Sequence, residues 1–204
     1  MTLERLIQPG GAGAGAGAGG GPAGPGQEPP VALRRLGPPD AEAFRALRLE
    51  ALAAAPEAFG SSHEEEAALP PETFRARLPD AGPSAVFGAL AGDRLVGMAG
   101  FLANGRVKQR HKGLLWGVFV RPAWRRRGLG ERLVRQVIAH AAEHVLLLQA
   151  SVVTSNRAAR RIYGRLGFVP YGVERDALCV GGRFHDEELL ALDLRRTGER
   201  AAGE

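Results

Sequence analysis

The most informative segment of the chain reads Trp116-Gly-Val-Phe-Val-Arg-Pro-Ala-Trp-Arg-Arg-Arg-Gly-Leu-Gly-Glu-Arg-Leu133. It predicts an apolar strand ending at Arg121, a loop of arginine and glycine, and a helix from about residue 128 to 142. Gly128 and Gly130 lack a Cβ atom, so a bulky anion can approach the backbone N–H groups where the helix begins. Those N–H groups have no partner within the helix, and the helix dipole makes the potential there positive. The segment therefore predicts a cradle for a pyrophosphate group.

The spacing within the loop separates kinds of phosphate site. The pattern G-x-x-x-x-G-K-[ST] of P-loop NTPases does not occur in the sequence, which disfavours an NTPase. The pattern that does occur, Arg125-x-x-Gly128-x-Gly130, resembles the [QR]-x-x-G-x-[GA] acetyl-CoA loop of the GNAT family of acetyltransferases. Taken alone, the loop also fits a glycine-rich turn beside a solvated run of arginines.

A second motif follows one helix and one strand later. Asn156-x-x-Ala159-x-x-x-Tyr163, continued by Gly167-Phe168, resembles the GNAT pattern Asn-x-x-Ala-x-x-x-Tyr-x-x-x-Gly-Phe. Two motifs in this order and at this separation rarely occur together by chance. The resemblance extends over roughly residues 31 to 194.

The hydrophobic pattern predicts the element order β-α-α-β-β-β-α-β-α-β-β, which is an α/β domain with a mixed sheet. Residues 145–153 are strongly apolar and predict a strand that is buried on both faces. Residues 60–66 read as a polar connection between the first two helices. The resemblance implies the GNAT (acyl-CoA N-acyltransferase) fold, a mostly antiparallel sheet with splayed central strands flanked by helices.

Composition changes sharply near residue 30. Residues 8–30 are nearly all Gly, Ala and Pro, which bury little and lose much chain entropy when ordered. We expect a disordered tail over residues 1–30, an N-acetyltransferase domain over 31–197 and a flexible tail over 198–204. The tail contains a dinucleotide-type glycine pattern, but neither a strand nor a helix pattern flanks it.

Charge and cysteine content limit the compartment and the partners. The formal net charge is +5 with an excess of arginine, which suits an anionic partner. Cys179 is the one cysteine, so no disulfide can form within the chain. The N-terminus has no apolar stretch of the signal-peptide type, and no run approaches the ~20 apolar residues that span a bilayer. The sequence therefore predicts a cytoplasmic protein without a membrane partner.

The resemblance implies where acetyl-CoA would bind. In GNAT folds the pantetheine arm enters the gap between the splayed strands and bonds to the first of them, here at Val118, Phe119 and Val120. Asn156 would bond the pantetheine or cap its own helix. The loop residues expected around the pyrophosphate are Arg125, Arg126, Arg127, Gly128, Leu129 and Gly130. The phosphates of coenzyme A would also account for the basic cluster from Arg121 to Arg135.

Attack of an amine on the acetyl thioester requires a base, a donor for the oxyanion and an acid for the thiolate. A backbone N–H near Phe119 or Val120 could serve the oxyanion, and Tyr163 matches the family position of the acid. A core aromatic is the structural alternative for Tyr163, which shares a helix face with Ala159 and Ile162. The base stays open: it could come from residues 64–66, from Asp186 and Glu187, or from a water chain, although such acidic runs usually face solvent.

The sequence therefore predicts an N-acetyltransferase that moves an acetyl group from acetyl-CoA to a primary amine. The acceptor, a small molecule or a peptide, is not identified. The alternative is a non-catalytic acetyl-CoA- or RNA-binding module with a GNAT fold. Nucleic acid is otherwise not expected as a partner, and GNAT relatives are often dimers. His140 and His144 have metal-ligand spacing but no convincing third ligand, so no metal is expected.

Overall fold

One seven-stranded sheet organises residues 30–195, the part of the chain that the computed structural model describes. The predicted tails lie outside these residues apart from residue 30, as do the last two residues of the predicted domain. The strands are β1 (Val31–Arg35), β2 (Ala85–Ala91), β3 (Arg94–Ala103), β4 (Lys112–Val120), β5 (Leu147–Val153), β6 (Val169–Val180) and β7 (Arg183–Asp193). The helices are α1 (Ala41–Ala54), α2 (His63–Ala67), α3 (Pro71–Ala76), α4 (Leu129–Ala142) and α5 (Arg157–Arg165).

The strands lie in the order β1-β2-β3-β4-β5-β7-β6, and neighbours run antiparallel except for β4 and β5. The parallel pair is short: Lys112–Leu114 pairs with Leu147–Gln149, and the two strands then separate. This confirms the mixed, mostly antiparallel sheet with splayed central strands. The gap between β4 and β5 opens beyond Leu114, towards the ends of both strands.

A β-bulge at Gly117 changes the direction of β4 where the gap opens. Met98 pairs with Phe119 and Gly100 pairs with Trp116, so β4 has one residue more than β3 between these pairs. Gly117 has a φ of 62°, a conformation that glycine adopts without strain. The bulge places Trp116 and Phe119 in the same hydrophobic cluster although they are three residues apart.

The two faces of the sheet carry separate hydrophobic cores. Helices α4 and α5 cover one face, where the predicted apolar positions of α4 are buried: Leu129, Leu133, Val134, Val137 and Ala141. Helices α1 and α3 cover β2, β3 and β4 on the other face, through Phe44, Leu47 and Phe74. The amphipathic pattern of α4 therefore identified the correct buried face.

Two local expectations are wrong. The polar connection contains α2, which begins after a capping box: Ser62 Oγ accepts from Glu65 N at 3.1 Å, and Ser62 N donates to Glu65 Oε2 at 2.8 Å. Strand β5 is not buried on both faces. Leu148 and Ala150 are buried towards α4, whereas Gln149 and Ser151 are only half-buried on the other face, which the α1–α3 layer does not fully cover.

Candidate active site

A cleft of about 760 Å³ lies between the end of β4, the loop before α4 and helix α5. It is lined by nine of the predicted cofactor residues: Val118, Phe119, Val120, Arg125, Arg126, Gly128, Leu129, Gly130 and Asn156. Arg127 does not line it. Its guanidinium lies over the Trp124 ring, 4.8 Å from the ring centroid. The structure thus brings together two sequence motifs that lie about thirty residues apart in the chain.

The backbone of the loop before α4 has an alternating conformation where it lines this cleft. Arg126 and Gly128 have φ angles of 62° and 73°, so left-handed residues flank Arg127, and α4 begins directly after them. Alternating backbone of this kind forms anion-binding concavities, and the first N–H groups of α4 add to it. A Cβ on Gly130 would meet only ordinary contacts, the nearest being Ile162 Cδ1 at 3.7 Å. The protein would therefore tolerate a Cβ at this position, in contrast to Gly128 with its left-handed backbone.

The basic cluster predicted around the loop does not act as one patch. Arg121 forms an ion pair with Glu50 at 2.8 Å, and Arg125 Nε donates to the carbonyl of Val120 at 3.0 Å. Of the cluster, Arg125 and Arg126 line the cleft, and the side chain of Arg125 is turned back onto β4.

Helix α5 supplies two cations that the sequence analysis missed. Arg161 and Arg165 line the cleft, and their spacing of four residues on one helix face was the available signal. Arg165 also donates to Glu131 Oε2 at 2.8 Å, which joins the start of α4 to α5. Hydrogen bonds from Arg165 and Arg135 lower the pKa of Glu131.

Asn156 caps the N-terminus of helix α5. Its side-chain oxygen accepts from Ala159 N at 3.1 Å, so the capping role anticipated for this residue is present. Both residues of the Asn-x-x-Ala pair line the cleft. The cap therefore fixes the start of α5 directly beside the gap between β4 and β5.

Tyr163 lies in the last turn of the same helix, α5. Its side chain is 7% exposed and packs against Phe168 at 5.5 Å between ring centroids. Burial raises the pKa of the phenol, so it keeps its proton at neutral pH. Tyr163 lines a second pocket of about 90 Å³, which adjoins the large cleft through the shared residues Val118, Asn156 and Ala159. The core interpretation and the acid interpretation are therefore compatible.

A buried carboxylate faces this small pocket. Glu187 of β7 is 5% exposed, lines the pocket with Tyr163 and accepts a hydrogen bond from Ser151 Oγ at 3.1 Å. Antiparallel pairing of β5 with β7 sets Glu187 opposite Val153, at the splayed end of β5. The pocket thus holds the carboxyl group of Glu187 and the protonated phenol of Tyr163 where β4 and β5 diverge.

Comparison with known proteins places this arrangement in a family. The Acetyltransferase (GNAT) family matches residues 47–168. The chain belongs to the GNAT family of acetyltransferases. It is 34% identical to the N-alpha-acetyltransferase RimI of Mycobacterium tuberculosis over 113 residues, which cover 55% of this chain and 69% of that protein. It is accordingly an N-acetyltransferase that uses acetyl-CoA.

Solved GNAT structures share the fold. The GNAT acetyltransferase of Streptococcus pneumoniae superposes with a TM-score of 0.72 at 24% identity, covering 80% of this chain and 99% of that one. The yncA protein of Salmonella typhimurium, solved with its cofactor acetyl-CoA, gives a TM-score of 0.67 at 20% identity and covers 80% and 94%. At these identities the likeness establishes the architecture.

The cleft of this GNAT domain fits acetyl-CoA on its own geometry. The left-handed loop backbone and the start of α4 offer donors for a diphosphate, and Arg126 and Arg161 add positive charge at the rim. Within residues 30–195, no strand pairs with the backbone of Val118 to Val120 on the side that faces β5. An extended amide-bearing chain can therefore bond there as an additional strand would.

The acidic residues that the sequence offered as bases fall into different environments. Glu66 is 2% exposed and is held by Arg48 at 2.8 Å and Arg77 at 2.7 Å, so it is not part of a solvated surface. Burial would raise the pKa of Glu66, but bonds and charges from these arginines outweigh it and lower the pKa. Asp186 pairs with Arg175, and Glu188 pairs with Arg160 of α5. Glu187 is the member of these two runs that lines the 90 Å³ pocket.

His140 of α4 and His144, two residues after the end of α4, have structural contacts. His140 Nε2 lies 2.7 Å from the Pro83 carbonyl oxygen, and the ring packs edge-on against Phe87 and Phe101. Glu143 joins His140 and His144 in a group whose potential ligand atoms lie within 4.8 Å of one another. The expectation that no metal binds here stays a prediction. Across residues 30–195, no helix is both long and apolar enough to cross a membrane.

Proposed function

We propose that this GNAT enzyme acetylates a primary amine that enters the 90 Å³ pocket, with Glu187 as the base and Tyr163 as the acid. The proposal rests on one observation: the two side chains line the same small pocket at the inner end of the cofactor cleft. A carboxylate suits the capture of an ammonium ion, and a buried phenol retains a proton to give. Under this proposal Glu187 on β7 accepts a proton and Tyr163 on α5 donates one.

Acetyl-CoA supplies an activated thioester carbonyl, and this chain's residues would position it. Backbone N–H groups from Arg126 to Gly130 would bind the diphosphate, with Arg126 and Arg161 beside it. The strand end at Val118 to Val120 would bond the pantetheine amides. An N–H near Phe119 or Val120 would donate to the carbonyl oxygen as negative charge develops on it.

The proton balance assigns one task to each side chain. Glu187 would take a proton from the ammonium, which frees the nitrogen lone pair to form the bond to the carbonyl carbon. Tyr163 would donate its proton to sulfur as the carbon–sulfur bond breaks. The second nitrogen proton, lost as the amide forms, would restore the phenol through water, and Glu187 would release its proton to solvent.

An N-terminal α-amine is the acceptor class that we infer. The relative RimI is by name an N-alpha-acetyltransferase. An α-amine has a pKa of about 7.7–8.0, against about 10.4 for a lysine side chain, so a carboxylate base removes its proton more readily near neutral pH. Gln149 and Ser151 on one face of β5 are only half-buried, and we infer that a polypeptide continues along this face beyond the pocket.

We also propose a compartment and an oligomeric state for the enzyme. We infer a cytoplasmic enzyme, since Cys179 is an exposed free thiol that suits a reducing compartment. A homodimer is compatible with the exposed apolar side chains of β6, including Val169, Tyr171 and Val173. Sedimentation at micromolar concentration would distinguish monomer from dimer.

The decisive experiment combines binding and turnover. Calorimetry should detect acetyl-CoA binding to the folded protein, and thiol release should require a free amine. The acceptor panel would hold short peptides with free N-termini, the same peptides with blocked N-termini, and lysine and aminoglycoside amines. Thiol release restricted to the free N-termini is the expected result. Binding without turnover on any amine would support the non-catalytic alternative instead.

A further inference from the structure

A strongly basic loop joins β3 to β4 and contains no acidic residue. It reads Asn104-Gly-Arg-Val-Lys-Gln-Arg-His-Lys112, so four of its nine residues are Lys or Arg. Arg106, Lys108 and Arg110 are exposed and Lys112 is half-buried. We call residues 104–112 the basic loop.

The charges of the basic loop differ from those elsewhere in the protein. Many arginines are paired with a carboxylate within 4 Å, including Arg34, Arg48, Arg121, Arg160 and Arg175. Within residues 30–195, no carboxylate forms such a pair with the cations of the basic loop. The positive charge there is available to an external anion.

The basic loop is nevertheless ordered by its own hydrogen bonds. Asn104 N donates to the Lys112 carbonyl at 3.1 Å, and Asn104 Oδ1 accepts from Arg106 N at 3.0 Å. The side-chain nitrogen of Asn104, Nδ2, also donates to Gln109 Oε1 at 2.9 Å. The cations are therefore presented on a defined turn, which lowers the entropy lost when an anion binds.

The basic loop borders a groove that shares a lining residue with the catalytic pocket. A groove of about 230 Å³ is lined by Arg106, Lys112, Leu114 and Gln149, and Leu114 also lines the pocket that holds Glu187. Gln149 and Ser151 lie on the same half-buried face of β5, two residues and thus about 7 Å apart. The groove and the pocket thus share Leu114 and lie along the same face of β5, and Arg106 and Lys112 line the groove.

Resting on the proposed function above, we propose that the acceptor is a polypeptide N-terminus with carboxylate side chains shortly after its first residue. With the α-amine at Glu187, an extended chain advances about 3.3 Å per residue and brings its third to fifth side chains to the basic loop. Arg106 and Lys112 would bind these carboxylates and so select acidic acceptors. Nucleic acid is disfavoured because single-strand sites stack successive bases mainly on large aromatic side chains, and the basic loop contains no Phe, Tyr or Trp.

The test compares two peptides with free N-termini, Ala-Ala-Glu-Glu-Glu-Gly and Ala-Ala-Gln-Gln-Gln-Gly, on the full chain saturated with acetyl-CoA. We expect kcat/KM to be about tenfold higher for the glutamate peptide, mainly because its KM is lower. This advantage should shrink as the salt concentration rises from about 0.05 M to about 0.5 M. Arg106→Gln and Lys112→Gln should each reduce turnover of the glutamate peptide severalfold and leave the glutamine peptide unchanged. Arg94→Gln is the matched control, because it removes the same charge at the opposite end of β3.

The outcomes separate this inference from the proposed function. Equal kcat/KM for the two peptides would overturn the inference while leaving the acetyltransferase assignment in place. An RNA oligonucleotide that binds through Arg106 and Lys112, with no preference between the peptides, would replace it with a nucleic-acid surface. Failure to acetylate any free N-terminus would contradict the proposed acceptor class itself.

Discussion

At the scale of single residues, Tyr163 should control the departure of the thiolate. In Tyr163→Phe the ring still packs against Phe168, but the proton is gone. We expect kcat to fall about 10²-fold while the affinity for acetyl-CoA stays the same. Steady-state kinetics and calorimetry would measure the two quantities. Tyr171→Phe is the control at saturating acceptor, since Tyr171 is 53% exposed on β6 and its hydroxyl contacts Gln149 rather than the 90 Å³ pocket. Unchanged kcat in Tyr163→Phe would remove the acid role.

Glu187 is the second residue whose side chain can be tested alone. Glu187→Gln keeps the shape and the Ser151 contact but cannot accept a proton. We expect kcat/KM to fall about 10²-fold at pH 7 and to recover as pH rises, because a larger fraction of the amine is then already deprotonated. The pH profile of kcat/KM is the measurement. Glu188→Gln is the control at the neighbouring position, since the Glu188 carboxylate forms an ion pair with Arg160 of α5. An equal loss of kcat/KM in both variants would argue against Glu187 as the base.

At the scale of elements, the loop before α4 depends on backbone conformation more than on its arginine side chains. Gly128 has a φ of 73°, and an L-residue in that conformation costs about 1–2 kcal/mol. Gly128→Ala should therefore weaken acetyl-CoA binding about tenfold, as measured by calorimetry. Gly130→Ala should bind nearly as the parent protein, because its Cβ meets only ordinary contacts. Equal affinity in both variants would contradict the loop geometry inferred here.

The elements also explain what the sequence could predict. The loop and α4 were predictable because glycine spacing and helical periodicity are local signals. The half-buried face of β5 was not predictable. Leu147 and Leu148 are adjacent leucines on opposite faces of the strand, and they hide the alternation of buried and half-buried residues. Glu187 could be named only as a candidate, because its place in the pocket depends on β5 pairing with β7 rather than on local sequence. The bulge at Gly117 likewise follows from pairing with β3.

At the scale of the whole molecule, a buried ionic network supports the wall of the catalytic pocket. Arg48 of α1 bonds Glu66 of α2, which also bonds Arg77 just after α3. The Arg48 guanidinium lies 4.9 Å from the Phe59 ring centroid and 5.9 Å from that of Trp116. Both aromatic residues line the 90 Å³ pocket. The network therefore connects the stability of the α1–α3 layer to the shape of the acceptor site.

Removing the central carboxylate of this network tests that connection. Glu66→Gln leaves two arginines near a neutral amide and should lower the free energy of unfolding by about 3 kcal/mol at pH 7. The folded-state pKa of Glu66 lies below its unfolded value of about 4.3, so its stabilisation is present above that pH and is lost as pH falls through the folded pKa. The difference between wild type and variant should accordingly shrink below about pH 4.3 in urea titrations. Glu72→Gln, on the exposed first turn of α3, is the control and should change the free energy of unfolding by less than about 0.5 kcal/mol. An equally small effect of Glu66→Gln would show that the network does not hold the α1–α3 layer together.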